Sequence, residues 1–269
     1  MESAALAPAF GLVVGLVLAL TGAGGSIVAV PLLVFGLGMT LAQAGPVGLL
    51  AVALSAATGA YLGFRAKVLR YKAAALMAAS GALVSPFGLW LAQRTPNDAL
   101  TVLFAVVLVG VASRMLVQAS RDLRGAPRPD SRLPPCRLDP VVGKLQWNVA
   151  CARCLVLAGA AAGFLSGLLG VGGGFIVVPT LLAMSDLPMK SIVATSLGVV
   201  AMVSLAGVVS ASFAGYMPWQ VAWPFAAGAL LGALLGRTVA ARLAGPRLQQ
   251  VFAMLSLAIA AGLLVKAAG

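Results

Sequence analysis

A glycine-rich break inside an overlong apolar stretch occurs twice in this chain. The first copy runs from Thr21 to Pro31 and the second from Leu169 to Pro179. An offset of 148 residues aligns their glycines and prolines, and it still pairs identical residues at Phe104 and Phe252. The chain therefore reads as a duplication in which each copy must fold around the same break.

The apolar stretches are long enough to cross a membrane. Of the 269 residues, 61% are hydrophobic and 9% are charged, whereas a soluble domain usually carries about 25% charged residues. Runs of about 18 or more apolar residues recur, which is typical of transmembrane helices. Lys and Arg lie almost entirely between these runs, so the net charge of +12 indicates membrane orientation rather than nucleic-acid binding.

The side chains that acid–base catalysis and metal binding need are missing from the apolar runs. There is no His, and the six acidic residues lie at the ends of apolar runs or outside them. We therefore expect neither an enzyme nor a cofactor. Cys151 and Cys154 form a CxxC and Cys136 precedes them, but no second CxxC completes a zinc site. We expect ordinary reduced thiols.

The predicted fold is an all-α polytopic membrane protein with two homologous transmembrane repeats, residues 1–118 and 149–269. Each repeat would contain a glycine-broken or re-entrant helix followed by three transmembrane helices. Each broken stretch is too long for one straight span, and we expect both of its pieces to be too short for a hydrocarbon core that needs about 20 helical residues. Residues 119–148 are rich in Pro and Arg, which predicts a mobile cytoplasmic linker.

The distribution of basic residues favours repeats of opposite orientation in the membrane. If each broken stretch enters and leaves on the same side, the count leaves only Arg94, Lys190 and Lys266 outside the cytoplasm. Eight full crossings with parallel repeats would place more Lys and Arg outside. Because cytoplasmic loops carry the excess of basic residues, the inverted arrangement is preferred.

The two glycine breaks are the predicted binding site. A short helix that begins at either break would point free backbone N–H groups into the middle of the membrane, and its dipole adds about half a positive charge there. Paired broken helices in an inverted repeat are a recurrent indicator of a transporter's substrate site. The alternative is that the glycines only allow close helix packing. The predicted backbone ligands of an anion are Gly24, Gly25, Ser26, Gly172, Gly173 and Gly174.

Hydroxyl groups are predicted to complete the site. Thr195 and Ser196 follow the second broken helix and could donate hydrogen bonds to an anion, whereas the first repeat has Val and Gly at the corresponding positions. Ser204 lies on a similar face of the same helix, and Ser55 does so in the first repeat. Both are weaker candidates, because Ser in a membrane helix often bonds to its own backbone carbonyls.

At these residues the chain resembles the TauE/SafE family of membrane permeases, often called sulfite exporters. The resemblance rests on Gly22–Pro31, Gly170–Pro179, Ile192–Leu197 and Gly228–Gly236, and it covers nearly everything except the linker. It implies transport of small sulfur-containing anions, such as sulfite, thiosulfate or an organosulfonate, across the bacterial inner membrane. An anion channel or facilitator and a non-transporting membrane scaffold are the alternatives.

Overall fold

The computed structural model describes residues 2–21, 26–123, 136, 148–243 and 246–268 of the chain. Within these residues the secondary structure is helical apart from one isolated bridge. The helices are α1 (Glu2–Thr21), α2 (Ser26–Gly36), α3 (Leu41–Arg65), α4 (Tyr71–Arg94), α5 (Asn97–Leu123), α6 (Val149–Leu169), α7 (Gly174–Met184), α8 (Met189–Phe213), α9 (Trp219–Leu243) and α10 (Pro246–Ala268).

Six of the described helices are long and apolar enough to cross a membrane, namely α3, α4, α5, α6, α8 and α9. An α-helix satisfies its backbone polar groups internally, which is the condition that the hydrocarbon core imposes on a spanning segment. The prediction of an all-α polytopic membrane protein is confirmed.

The helices follow the same order in the two halves of the chain. Each half begins with a long helix, continues with a helix of 11 residues and ends with three long helices. The short helices begin at the glycine breaks, α2 at Ser26 and α7 at Gly174. The expectation that both pieces of each broken stretch are too short to span was wrong for α6. It has 21 residues, or about 31 Å of helix, because it begins at Val149 and continues up to the glycine turn.

The short helix α7 folds back along α6. Gly173 at its start lies against the backbone of Ala162, in the second half of α6. At its other end, the Met184 carbonyl accepts a hydrogen bond of 3.0 Å from the N–H of Cys136. Cys136 is in turn bonded through a disulfide to Cys151, at the start of α6. The second broken stretch therefore returns to the end of the bundle where it began.

The disulfide between Cys136 and Cys151 corrects the prediction of reduced thiols, although Cys154 is free. The residue spacing could not reveal it, because the bond depends on how the segment before α6 packs against the start of that helix. Cys136 is only 1% exposed, so this part of the predicted mobile linker is packed in the core. Helix α5 also extends to Leu123, and residues 124–135 and 137–147 lie outside the described residues.

Helices α3 and α8 pack side by side in opposite directions. Gly63, near the end of α3, lies against Ala194 near the start of α8. Leu49, early in α3, lies against Gly207, late in α8. These two contacts fix the antiparallel direction.

Two parallel pairs, α1 with α9 and α4 with α6, join the halves of the chain. Their backbones approach closely at small residues, which is a common means of packing helices in membranes. The 148-residue offset of the sequence also relates one interface to the other. Gly11 and Gly15 contact Phe225 and Ala229 in the first pair, and Gly159 and Gly163 contact Met77 and Gly81 in the second.

Helix α8 begins at the same end of the bundle as the basic loop between α3 and α4. The backbone N–H of Arg70, in that loop, donates a hydrogen bond of 3.1 Å to the Thr195 Oγ1. Lys190 lies at the start of α8, so it belongs to the end that carries Arg70. The sequence count, which grouped Lys190 with Arg94 on the opposite side, was wrong: a broken stretch that enters and leaves on the same side puts the start of α8 at the end where α6 begins.

Candidate functional site

The turn between α6 and α7 is built from glycines in a conformation that other residues rarely adopt. Gly170, Gly172 and Gly173 have φ values of +72°, +71° and +67°. A Cβ atom would crowd the following carbonyl in this left-handed region, so glycine is strongly preferred. The whole segment from residue 166 to residue 175 is buried.

The glycines are also required because other helices lie against the turn. A Cβ on Gly173 would come within 2.6 Å of the Ala162 carbonyl oxygen, and one on Gly172 within 2.9 Å of Val52 Cγ1 in α3. Gly170 contacts the backbone of Gly45, also in α3. The turn is thus wedged between α3 and its own helix α6.

The backbone donors of this turn are unused. In the described part of the chain, the N–H groups of residues 171–175 donate no hydrogen bond, and the first N–H groups of α7 that do are those of Ile176 and Val177, both to the Gly173 carbonyl. Successive free N–H groups in a left-handed turn form an anion-binding concavity. The positive end of the α7 dipole adds to the same potential.

Four buried serine hydroxyls in the described residues also lack a hydrogen-bond partner. They are Ser55 in α3, Ser85 in α4, Ser166 in α6 and Ser204 in α8. Other helical serines bond to a carbonyl three or four residues earlier, as Ser in apolar helices commonly does; these are Ser80, Ser113, Ser120, Ser196, Ser210 and Ser212. A buried polar group without a partner requires an explanation.

One of these hydroxyls, that of Ser204, lies at the glycine turn, and those of Ser85 and Ser166 belong to residues packed next to the end of α6. Ser204 Oγ is 3.1 Å from the position of a Cβ on Gly172. Ser85 Oγ is 3.5 Å from the position of a Cβ on Gly207, one helical turn beyond Ser204. Ser166 lies in the last turn of α6, where its carbonyl accepts the N–H of Gly170 at 2.8 Å. The turn therefore combines backbone donors with the Ser204 hydroxyl of α8, and the unpartnered Ser85 and Ser166 lie nearby in α4 and α6.

The structure places the predicted hydroxyls of Thr195 and Ser196 nearer the start of α8, away from the glycine turn. Thr195 Oγ1 accepts from Arg70, and Ser196 donates to the Val193 carbonyl at 2.9 Å. Both residues are fully buried. Eight or nine residues separate them from Ser204, which is about 12–14 Å along a helix.

Of the predicted backbone ligands, Gly172, Gly173 and Gly174 all lie in the buried turn. Gly24 and Gly25 lie outside the described residues, and Ser26 begins α2. Sequence reasoning named Ser204 and Ser55 as weaker candidates and missed Ser85 and Ser166. Ser85 directly precedes Pro86 and Ser166 directly precedes Gly167, each inside an apolar run. A serine in such a position is the sequence pattern that could have indicated them.

Comparison with known proteins agrees with the fold. Residues 7–263 match the family model described as "Sulfite exporter TauE/SafE". A "Probable membrane transporter protein" of Xylella fastidiosa (strain Temecula1) is 29% identical over 253 residues, covering 92% of this chain and 89% of the relative. The "Probable membrane transporter protein YunE" of Bacillus subtilis is 27% identical over 240 residues, covering 85% of each chain.

No solved structure matches the chain at a significant level. The family model, in contrast, spans nearly the whole sequence, including both glycine breaks. The relatives named above are described as transporters and not as enzymes. This chain belongs to the TauE/SafE family of membrane proteins.

Proposed function

We propose that this protein transports small sulfur-containing anions, such as sulfite, thiosulfate or an organosulfonate, across the bacterial inner membrane. The observation that carries the proposal is the α6–α7 turn, which combines free backbone N–H groups with complete burial. A short anion can bind such a turn without a charged side chain, because partial positive charges of the backbone face it.

Alternating access is the proposed mechanism, with the halves α1–α5 and α6–α10 moving against each other. The antiparallel direction of α3 and α8, which occupy equivalent places in the two halves, supports an inverted repeat. Inverted repeats with broken helices at their centre are typical of such transporters. Gly24, Gly25 and Ser26 at the first break stay predicted ligands, and Gly24 and Gly25 lie outside the described residues.

The basic end of the bundle is proposed to be cytoplasmic. The loop with Arg65, Lys67, Arg70 and Lys72 lies at the same end as Lys190 and the start of α6. An excess of Lys and Arg is the usual mark of cytoplasmic loops. The segment 119–148 would then be a cytoplasmic connection between the halves.

Thr195 and Ser196 are proposed to line the route between the glycine turn and the cytoplasmic end. Replacing both with Ala should slow transport while leaving the equilibrium affinity for the anion close to that of the wild type, since neither residue lies at the turn. Flux into liposomes and anion-dependent thermal stability measure the two quantities separately. A loss of affinity of about tenfold or more, the value of a hydrogen bond to a charged group, would place both residues in the binding site itself.

The function itself is tested with purified wild-type protein. Thermal stability is measured against sulfite, thiosulfate, taurine, sulfate, phosphate and chloride, followed by flux of the stabilising anions into proteoliposomes. We expect stabilisation by a sulfur anion that grows with its concentration and flux that saturates. Flux that rises linearly at all concentrations would indicate a channel. Absence of flux for every sulfur anion in the panel would overturn the proposal.

A further inference from the structure

We infer that the anion binds at only one of the two glycine breaks, the α6–α7 turn, and that its –SO3 group is held there by the hydroxyls of Ser85, Ser166 and Ser204. This inference rests on the proposed function but adds the ligands and the chemical group that they recognise. It also makes the two breaks unequal, because only the second would bind the anion, with ligands from both halves of the chain.

The three hydroxyls are available to bind a ligand because they make no hydrogen bond within the described residues. All three are completely buried and have no partner, although Ser210 and Ser212 on α8 bond to their own helix. Burying a hydroxyl without a partner costs about 1–3 kcal/mol. A ligand with several acceptor oxygens would recover that free energy in the bound state.

The residues that carry the hydroxyls lie within about one helical turn of each other along the bundle. Helices α4 and α8 run parallel, since Gly81 contacts Val203 and Ser85 lies beside Gly207. Ser85 and Ser204 are therefore about one helical turn apart in height. Ser166 comes from the end of α6, next to Gly167, which contacts the Ser85 backbone.

The corresponding positions of the other half carry no donors. The 148-residue offset relates Ser85 to Ala233, Ser166 to Leu18 and Ser204 to Ala56. These three counterparts are buried and apolar. The three hydroxyls assigned to the α6–α7 turn therefore have no counterparts under the offset that relates the two breaks.

The chemistry of the donors favours an anion with several oxygens over a single-atom anion. Three neutral hydroxyls can each donate one hydrogen bond, and an –SO3 group presents three acceptor oxygens around one sulfur. The first-turn N–H groups of α7 supply partial positive charge from the side of the turn. Sulfite and organosulfonates share this group, whereas chloride offers no separate acceptor atoms for the three donors.

The first test replaces each serine with Ala, singly and together, and uses Ser210→Ala as the matched control on α8. Each single variant should bind sulfite about tenfold or more weakly, the value of one hydrogen bond to an anion. Without anion, its thermal stability should equal or exceed that of the wild type, because an unpartnered buried hydroxyl is removed. Ser210→Ala should leave the affinity unchanged.

Other outcomes separate this inference from the proposed function. If wild-type protein transports sulfite and the three single variants keep its KM, the serine assignment is wrong while the transport proposal survives. If the variants instead lose thermal stability without anion and retain the KM, the serines are packing residues. If wild-type protein transports no sulfur anion, the proposed function itself fails.

A second test counts sites and compares anions on the wild-type protein. Equilibrium binding of radiolabelled sulfite should saturate at one anion per chain, and methanesulfonate should compete with it. Saturation at two anions per chain would show that both breaks bind. Chloride competing as well as methanesulfonate at equal concentration would overturn the assignment of an –SO3 group.

Discussion

At the scale of single residues, the structure distinguishes glycines that the sequence makes look alike. Gly173 and Gly215 both have a positive φ, +67° and +75°. A Cβ on Gly173 would press against the Ala162 carbonyl, whereas a Cβ on Gly215 would meet no atom within 4 Å. Comparing substitutions at Gly173 and Gly215 therefore separates the effect of the left-handed backbone from the effect of steric crowding at the turn.

Replacing Gly173 with Ala should abolish anion binding and destabilise the protein more than Gly215→Ala. Both changes cost about 1–2 kcal/mol for a left-handed residue with a side chain, but only the first also forces α7 away from α6. Thermal stability and sulfite flux of the two variants provide the comparison. A Gly173→Ala protein with normal affinity would show that the turn does not supply the backbone donors.

The residues of the turn were predictable from sequence, but most of the hydroxyls around it were not. Consecutive glycines inside an overlong apolar stretch indicate a break directly, and α7 begins at the expected Gly174. Which serine faces that break depends on the rotation and depth of neighbouring helices. The packing of neighbouring helices places Ser85 beside Gly207 and Thr195 beside Arg70. The residue spacing within one helix does not predict these contacts between helices.

At the scale of elements, the α6–α7 hairpin is fastened at its open end. Cys136 joins the start of α6 through its disulfide and the end of α7 through a backbone hydrogen bond. Both cysteines are buried, in one apolar cluster with Leu155 and Leu181. The sequence predicted the hairpin's glycine turn but not this connection through Cys136, which we call the clasp. A CxxC motif suggests a disulfide between its own two cysteines.

Opening the clasp should lower the stability of the protein. The disulfide closes a loop with a sequence separation of 15 residues, and such a cross-link stabilises by about 3 kcal/mol in the chain-entropy model. Cys136→Ser, or a reductant that reaches the bond, should therefore lower the Tm. Cys154→Ser is the control and should change neither the Tm nor its response to reductant.

Intact mass measured with and without thiol alkylation checks the bond itself. One alkylated cysteine, Cys154, should appear without reductant and all three after reduction, because only Cys154 is free in both states. Alkylation of all three cysteines without reductant would contradict the clasp. Disulfides are uncommon in reducing compartments, so the same measurement on protein from intact cells reports the environment of this end of the bundle.

At the scale of the whole molecule, the contacts between helices repeat the relation already present in the sequence. The offset that aligns the two glycine breaks also converts the α1–α9 interface into the α4–α6 interface. Periodicity and length sufficed to predict the helices that follow each break. The side of an individual loop needed the helix contacts, because the charge count put Lys190 on the side opposite the one that the Arg70–Thr195 hydrogen bond indicates.

The direction of each half can be measured by labelling with a membrane-impermeant maleimide. Single cysteines replace Lys72, Lys190 or Tyr216, all exposed, in a Cys154→Ser background where the disulfide protects the remaining pair. We expect Lys72→Cys and Lys190→Cys to react from the cytoplasmic side and Tyr216→Cys from the other side. Eight full crossings with parallel repeats would instead group Lys72→Cys with Tyr216→Cys. That result would remove the inverted repeat, and with it the proposed route by which one break is alternately exposed to the two sides.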